Sequence, residues 1–348
     1  METVACDLCQ SDNAQIALRQ RDLLLGVSDE EFSIVRCGTC GLLYLNPRPA
    51  PEEIGQYYPE RYYPFAPPPK QRSTLERKAK EFSVLIKRWI MEDFYGYPAT
   101  GHRGVWHSLR KALLWPEKIR RIFSGRHIMP WVGQGRVLDV GCGTGGNLAT
   151  LQGQGWEVYG IEISERGAAE ARKRVGNGVH TGTLETAPFE KKFFDVVFMN
   201  HSLEHLFSPT DALHRVNQLL TLDGMVVIAV PNVDSVEARL FGRWWFNWDP
   251  PRHLYHFERR TLTRLLERAG FRVLRWRSAV GSLFFMQSLE RIWRQRFGGQ
   301  LPARRLVEKL VAPICLLAGH LGYGTEITVC AVKVESELGR RESDTQRS

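Results

Sequence analysis

The sequence predicts an α/β chain on a doubly wound, mostly parallel sheet, with a small metal-stapled knuckle ahead of it and helices added around it. Three observations carry this. From Arg136 onward, short apolar runs alternate with helix-patterned stretches, as parallel strands with crossover helices do. The first run, Val137 to Val140, leads directly into glycines 141, 143, 145 and 146 and then an apolar helix opening at Leu148. Two C-x2-C pairs, Cys6/Cys9 and Cys37/Cys40, stand in the first 45 residues.

The 348 residues are 43% hydrophobic, enough for about two domains. Met1 to Gln10 has neither the charged region nor the apolar run of a secretory signal, and Val311 to Gly319 is far shorter than a membrane span, so a cytoplasmic protein is expected. Seven cysteines without a signal argue for metal binding over a disulfide framework, with Cys142, Cys315 and Cys330 read as buried apolar positions. The net charge of +9 is uneven. Residues 70–130 hold fourteen Lys/Arg against five Asp/Glu, residues 238–310 sixteen against five, and residues 1–60 four against ten. The two basic regions suit anionic partners or solvated helix faces equally well.

Residues 1–45 read as the knuckle: four thiolates in two tight turns can converge on Zn²⁺ and leave no open position for catalysis, so its role is structural. Its acidity disfavours nucleic acid. One strand is predicted there, Phe32 to Arg36. Residues 46–71, with Asn46-Pro47-Arg48-Pro49 and the Tyr57-Tyr58 and Tyr62-Tyr63 pairs, read as an extended Pro/Tyr-rich linker. Residues 72–130 read as a basic helical cap: helices at 72–95 and 105–128, the second interrupted at Pro116, carry apolar stripes. Such helices could rest on an anionic membrane; packing on the next domain is favoured.

Residues 131–335 form the main domain. Strands are expected at Val137–Val140, Glu157–Ile163, Val179–Leu184, Phe194–Met199, Met225–Val230, Phe271–Trp276 and Glu326–Val334. Helices are expected at 164–174 behind a Ser164 cap, at 209–220 and at 261–269. Residues 281–324 are read as a helical insertion before the last strand, and 336–348 as a polar tail.

Gly141 to Gly146 satisfies more than one nucleotide-binding pattern, so its neighbours choose the ligand. Glu162 ends the second strand, where a carboxylate can accept from both ribose hydroxyls of an adenosine. Asp139 stands just before the turn, where it would repel pyrophosphate and welcome an ammonium. An adenosine joined to an amino acid is S-adenosyl-L-methionine.

V-L-D-V-G-C-G-T-G, V-Y-G-I-E, F-D-V-V and L-x-x-D-G-x-V-V-I-A-V-P-N together resemble the motifs of class I S-adenosylmethionine-dependent methyltransferases, over somewhat more than a third of the chain. The resemblance implies a Rossmann-like seven-stranded sheet with the last strand antiparallel. It implies Asp139, Gly141 and Gly143 near the methionine part, Glu162 on the ribose and the segment Thr183-Leu184-Glu185 at the adenine, with Cys142 and Ile163 also among the cofactor-binding residues. Many members carry Asp where this chain has Thr183. The knuckle, N-P-R-P, Y-Y, P-R-H-L-Y-H-F and A-G-F resemble a bacterial subgroup associated with envelope polysaccharide and glycolipid assembly.

Methyl transfer to a hydroxyl or carbon acid needs a base, and histidine suits neutral pH. His201 and His205 follow the fourth strand; His253 and His256 lie in the loop after the fifth. Each is a candidate, against the commoner role of a packing histidine. Asn200 is expected to contact cofactor or acceptor. Glu204-His205 also resembles a pair that can hold a divalent metal in quinone-pathway O-methyltransferases. Trp244 to Trp248 offers a substrate wall or plain core. The expectation is a methyltransferase for a hydroxyl or carbon of a sugar-containing or lipid-linked, anionic small-molecule or glycan acceptor, cytoplasmic and in reach of a membrane surface. The alternatives are a quinone-type O-methyltransferase, an RNA or protein methyltransferase, and a non-catalytic module that only binds the cofactor.

Overall fold

A computed structural model describes residues 1–59, 74–99, 105–124 and 128–335. It opens with three antiparallel strands, β1 (Ala14–Arg21), β2 (Glu31–Cys37) and β3 (Leu43–Leu45). Only β2 is legible in advance. β1 is largely exposed and lacks a clean apolar alternation, and β3 is only three residues long.

Two helices follow, α1 (Thr74–Phe94) and α2 (Val105–Phe123). The sequence places a break at Pro116; the helix runs through it. A proline removes one hydrogen bond and can kink a helix, but packing on both sides can hold the turn. Here Leu114, before the proline, is buried against the sheet, and in the turn after it Arg121 Nε donates to Glu117 Oε1 at 2.8 Å. Ile90, Met91 and Leu114 pack with Tyr97, Trp156, Val137, Val196 and Met225, so the helix pair covers one face of the central sheet.

The remaining elements are β4 (Arg136–Val140), α3 (Gly146–Gln152), β5 (Glu157–Glu162), α4 (Glu165–Val175), β6 (Val179–Thr181), β7 (Phe194–Asn200), α5 (Pro209–Leu219) and β8 (Leu220–Pro231). After them come α6 (Val236–Phe241), β9 (Tyr255–His256), α7 (Arg259–Arg268), β10 (Phe271–Ser278), α8 (Leu283–Phe297), α9 (Arg304–His320) and β11 (Glu326–Lys333). Ser164 caps α4 as expected, its hydroxyl accepting from Gly167 N at 3.2 Å. The third strand is shorter than predicted, ending at Thr181, and the fifth is longer.

Seven strands lie in the order β10-β11-β8-β7-β4-β5-β6. All neighbours are parallel except β11, which runs antiparallel to β8 and β10. β4 has β5 on one side and β7 on the other, so the chain reverses its winding there and opens a crevice at the strands' carboxyl ends. β9 does not join this sheet. It pairs with β3 and completes a second, four-stranded sheet, β1-β2-β3-β9. One apolar core therefore runs from Cys6, Phe32 and Tyr44 through Leu254 and Phe257 to Leu138, Val197 and Ile228.

Candidate active site

β4 delivers Asp139, and β5 delivers Glu162, to the same edge of the sheet. Between them the chain turns through Gly141, Gly143 and Gly145, all at positive φ (77°, 54° and 75°). A side chain at Gly141 would come within 2.9 Å of Ser202 Cβ, and one at Gly145 equally close to Ala171 Cα. Glycine is thus required both by backbone conformation and by close approach. The Glu162 carboxylate accepts from Gly143 N at 2.8 Å and from Ser164 N at 2.9 Å, which fixes it across the mouth of the turn. Asp139 is buried, and its Oδ2 accepts from Asn147 Nδ2 at 3.0 Å. Burial pushes its carboxyl up to about 6, the Asn147 bond opposes this, and the Glu162 charge adds to it. A cation placed beside it would relieve that cost.

Cys142 is buried behind the turn, whereas Ile163, just past Glu162, is 69% exposed. Gly182 N donates to the Glu162 carbonyl at 3.0 Å, so Thr183, exposed, and Leu184, buried, follow directly beside β5. Asn200 is exposed at the end of β7. The residues expected at the cofactor are therefore arrayed along one edge. Their donor set fits the ligand the sequence suggests: a glycine cradle, a carboxylate held for ribose, and a buried carboxylate for an ammonium.

The facing wall holds the four histidines, in different states. His201 has a left-handed backbone (φ 50°), and its N–H donates to Ala229 O at 2.9 Å. Its Nδ1 lies 3.2 Å from Glu204 Oε1 and its Nε2 2.7 Å from Glu326 Oε2. Burial would lower this imidazolium, but the two carboxylates outweigh it and raise it to about 10. With both nitrogens donating, His201 is a cation without a lone pair and is unsuited to the base role considered for it. Burial pushes the Glu204 carboxyl up, but His201 outweighs it and brings it down to about 2.

His205 and His253 differ. His205 Nδ1 is 2.9 Å from the Arg252 carbonyl, and His253 Nδ1 is 2.8 Å from the Asn247 carbonyl. A carbonyl only accepts, so each Nδ1 carries a proton, and a ring that is neutral in this tautomer keeps its lone pair on Nε2. Tyr58 Oη also lies 3.0 Å from His205 Nδ1. Burial, with the His253 charge, lowers His205 to about 4 and keeps it neutral at pH 7. Glu204, His205 and His253 bring one ligating atom each within 4.8 Å of one another, and Glu204 Oε2 is buried with no hydrogen-bond partner. His256 is buried in β9 against Trp248, its ring nitrogens equally unpartnered, and burial lowers it well below the usual range. Of the aromatic loop, Trp245 is fully buried core, its Nε1 donating to Thr325 Oγ1 at 3.3 Å.

Arg252 assembles this wall, and the sequence gives no warning of it. Fully buried, it reaches Asp22 at 2.5 and 3.0 Å, Asp249 at 2.5 and 3.1 Å, and the Tyr57 carbonyl at 3.1 Å. One guanidinium thus ties the end of β1, the Tyr57-Tyr58 segment and the His253 loop together. Leu254 N donates to Glu204 O and its carbonyl accepts from Leu45 N, both at 2.8 Å. The described part of the linker region, to residue 59, is therefore packed against the site.

The cysteines converge: Cys6 and Cys40 Sγ lie 3.4 Å apart, Cys9 and Cys37 3.5 Å, and all four within 4.8 Å. A tetrahedral Zn²⁺ with Zn–S of about 2.3 Å has S···S edges of roughly 3.8 Å, close to this arrangement. Both turns close alike, Gln10 N on Cys6 O at 2.7 Å and Gly41 N on Cys37 O at 2.9 Å, with Gln10 and Gly41 at positive φ. Burial pushes the Cys37 thiol up, but the N–H groups of Cys40 and Thr39 outweigh it and bring it down to about 7. The knuckle is bonded into the fold. Asp7 caps α5, accepting from Thr210 N at 2.9 Å, and Leu8 O and Cys40 O accept from Arg268 and Arg264 of α7 at 2.6 and 3.4 Å.

Residues 106–275, a little under half of the chain, match the family model described as a methyltransferase domain. With the strand order and the glycine turn, this settles the architecture. The fold is that of the class I methyltransferases. The chain is 31% identical over 160 residues to the O-methyltransferase cnsE of Penicillium expansum, covering 43% of this chain and 56% of that one. It is 30% identical over 156 residues to a ubiquinone biosynthesis O-methyltransferase of Roseobacter denitrificans, covering 39% and 62%. The chain thus spans about half to three fifths of the length of these curated relatives. Among solved structures it is similar to an S-adenosylmethionine-dependent methyltransferase of Thermotoga maritima, titled a possible histamine N-methyltransferase, with 19% identity, a TM-score of 0.42, and 74% and 98% of the two chains covered. No helix among the described residues is long and apolar enough to cross a membrane.

Proposed function

We propose that this chain transfers a methyl group from S-adenosyl-L-methionine to a hydroxyl or carbon of a sugar-containing or lipid-linked acceptor. The observation that carries the reading is the pair of carboxylates, Asp139 and Glu162, fixed at adjacent strand ends around a turn only glycine can make. Glu162 would take the ribose hydroxyls, Asp139 the ammonium, and Ile163 with Thr183 and Leu184 the adenine. Cys142 backs the turn, and Asn200 borders the acceptor side. When bound, the cofactor supplies an activated methyl group on sulfonium sulfur.

The chain's own residues position the acceptor and handle its proton. His205 is neutral, its Nδ1–H held by the Arg252 carbonyl, so its Nε2 can take a proton from the acceptor as the new bond to carbon forms. The resulting imidazolium is stabilised by ionised Glu204. Tyr58 Oη lies at the same Nδ1, 3.0 Å away, and His253 stands beside the ring with centroids 4.7 Å apart. The two basic regions support an anionic acceptor. One structural Zn²⁺ held by Cys6, Cys9, Cys37 and Cys40 belongs to the same proposal.

A quinone-type O-methyltransferase is the second reading. It is favoured by the Glu204, His205 and His253 cluster, whose donors suit a divalent metal, and by the similarity to the ubiquinone biosynthesis enzyme.

Calorimetric titration with S-adenosyl-L-methionine should show one site. Labelled cofactor offered with nucleotide sugars, lipid-linked glycans, quinone precursors and RNA then separates the acceptors; label entering only RNA ends both readings, and no heat on titration ends the enzyme. His205→Gln should cut turnover roughly 10²- to 10⁴-fold and leave cofactor affinity intact.

A further inference from the structure

We propose that α8, α9 and the turn between them dock this chain on an anionic lipid bilayer. Leu306, Leu310, Ile314, Leu317 and Leu321 recur at helical spacing along α9 and just beyond it, and each is 57% to 67% exposed. Repeats of three and four residues put them on one face. The opposite face is already used: Cys315, Ala318 and Gly319 are buried, and a side chain at Gly319 would collide with the Ala279 carbonyl and Val280 at the end of β10. The stripe is therefore an outer surface about 22 Å long. At its C-terminal end His320 sits on Phe123 of α2, another exposed aromatic, with ring centroids 5.5 Å apart.

The rim identifies the occupant. Residues 291–310 contain six Lys/Arg and one acidic residue, Glu308. Arg294, Arg296, Arg305 and Lys309 are exposed, and exposed Phe297 lies at the turn between the helices. Leucine and phenylalanine bordered by arginine and lysine is the composition of a helix that lies in the interface plane of an anionic membrane. A second copy of this chain fits poorly, because a symmetric pairing through the stripe would bring two cationic rims together. No described helix spans a bilayer, so the contact is peripheral.

The position of this surface gives it a use. Phe284 of α8 lies 6.2 Å from the His201 ring and 5.8 Å from Phe246, and Arg291 reaches the Trp245 carbonyl at 3.3 Å. The hairpin that bears the stripe therefore also roofs the acceptor side of the crevice. Docking would hold the crevice mouth beside the headgroup layer.

The test is flotation of the full chain with phosphatidylcholine vesicles, with and without phosphatidylglycerol. Wild type should float with the anionic vesicles and be released by high salt. Leu310→Glu/Leu317→Glu should lower vesicle partition by about tenfold or more, and Arg305→Glu/Lys309→Glu should abolish the preference for anionic vesicles. All four side chains are exposed, and an unchanged melting temperature certifies folding. Failure of wild type to bind anionic vesicles overturns the proposal. So does a solution dimer that Leu310→Glu/Leu317→Glu dissociates, since a second copy would then cover the stripe. Neither outcome depends on which acceptor is methylated.

Discussion

The two walls of the crevice are built in opposite ways. The proposed cofactor wall is local: Asp139 through Glu162 span two strands and one helix, and the groups offered to the ligand are strand-end carboxylates and backbone N–H groups. The proposed acceptor wall is assembled from segments far apart in sequence: Tyr58, His201 to His205, Asp249 to His256, and Glu326. A buried cation, Arg252, ties it to the knuckle-bearing sheet. A local wall should survive injury elsewhere, and an assembled one should not. The structure thus predicts a separation: lesions in the N-terminal sheet impair acceptor chemistry and spare cofactor binding.

The largest break should come from the knuckle. On the proposed zinc site, stripping metal with a chelator, or Cys37→Ser, removes the staple that holds Asp7 on the α5 N-terminus and Leu8 and Cys40 on α7. Small metal-stapled units lose most of their folding free energy with the metal. The expected outcome is a melting temperature lowered by roughly 10 °C or more, turnover lost, and S-adenosyl-L-methionine affinity close to wild type. Equal loss of cofactor affinity would show that the walls are not independent. Metal analysis should return about one zinc per chain.

Arg252→Met should come next. It leaves Asp22 and Asp249 buried without their partner and should cost about 3–5 kcal/mol by chemical denaturation. It should also release the Tyr57 carbonyl and disturb the His205 tautomer, so turnover falls more than cofactor affinity. Arg252→Met with Asp22→Asn and Asp249→Asn removes the stranded charges and should recover much of the stability. If turnover recovers as well, Arg252 acts only through stability; if it does not, Arg252 positions the histidine wall.

This asymmetry explains what the sequence could and could not disclose. Asp139, the glycines and Glu162 are legible because the strand, turn and helix that present them are contiguous, and each residue's chemistry follows from its place in that unit. His205 and His253 are visible as titratable residues after strand ends, but their tautomers depend on carbonyls of Arg252 and Asn247 that only the folded loop supplies. Asp22 is one of ten acidic residues in the first sixty, and nothing local marks it as the partner of an arginine 230 positions later. β9 is two residues long and β3 three, too short for any periodicity, so the second sheet is invisible until both strands are in place. Pro116 misled for the converse reason: a local rule was overridden by packing on both sides of it.

Glu162→Ala probes the local wall. It removes the acceptor for Gly143 N and Ser164 N and, on the proposed reading, the hydrogen bonds to the ribose. Charged hydrogen bonds of this kind are worth about 3 kcal/mol together, or roughly a hundredfold in affinity by calorimetry. The denaturation midpoint should move less than for Arg252→Met, because the carboxylate lies at the sheet's edge and the sheet itself is intact. A collapse in stability with unchanged affinity would reverse the assignment of the two walls.

The smallest effect is electrostatic and lies where the walls meet. His201 links Glu204 to Glu326 and is raised in the fold to about 10, against 6.5 in the unfolded chain. A raised pKa contributes stability that is fully present below the unfolded value and is lost as pH rises through the folded one. Glu204 does the reverse: lowered to about 2, it contributes above 4.5, and the contribution is lost as pH falls through 2. The link should therefore stabilise from mildly acidic pH upward and fade towards pH 10. His201→Gln should lower the melting temperature most between about pH 4.5 and 6.5, and the gap from wild type should close as pH approaches 10. Glu326→Gln removes one of the two carboxylates and should bring that closure to lower pH. Because His201 donates through both nitrogens, it should not set the pH profile of turnover. That profile should follow His205, whose neutral form persists down to about 4, so activity should extend further into acid than an ordinary histidine base allows. A turnover profile that shifts with Glu326→Gln would instead place His201 in the proton path and move the acceptor's base to the other end of the Glu204 carboxylate.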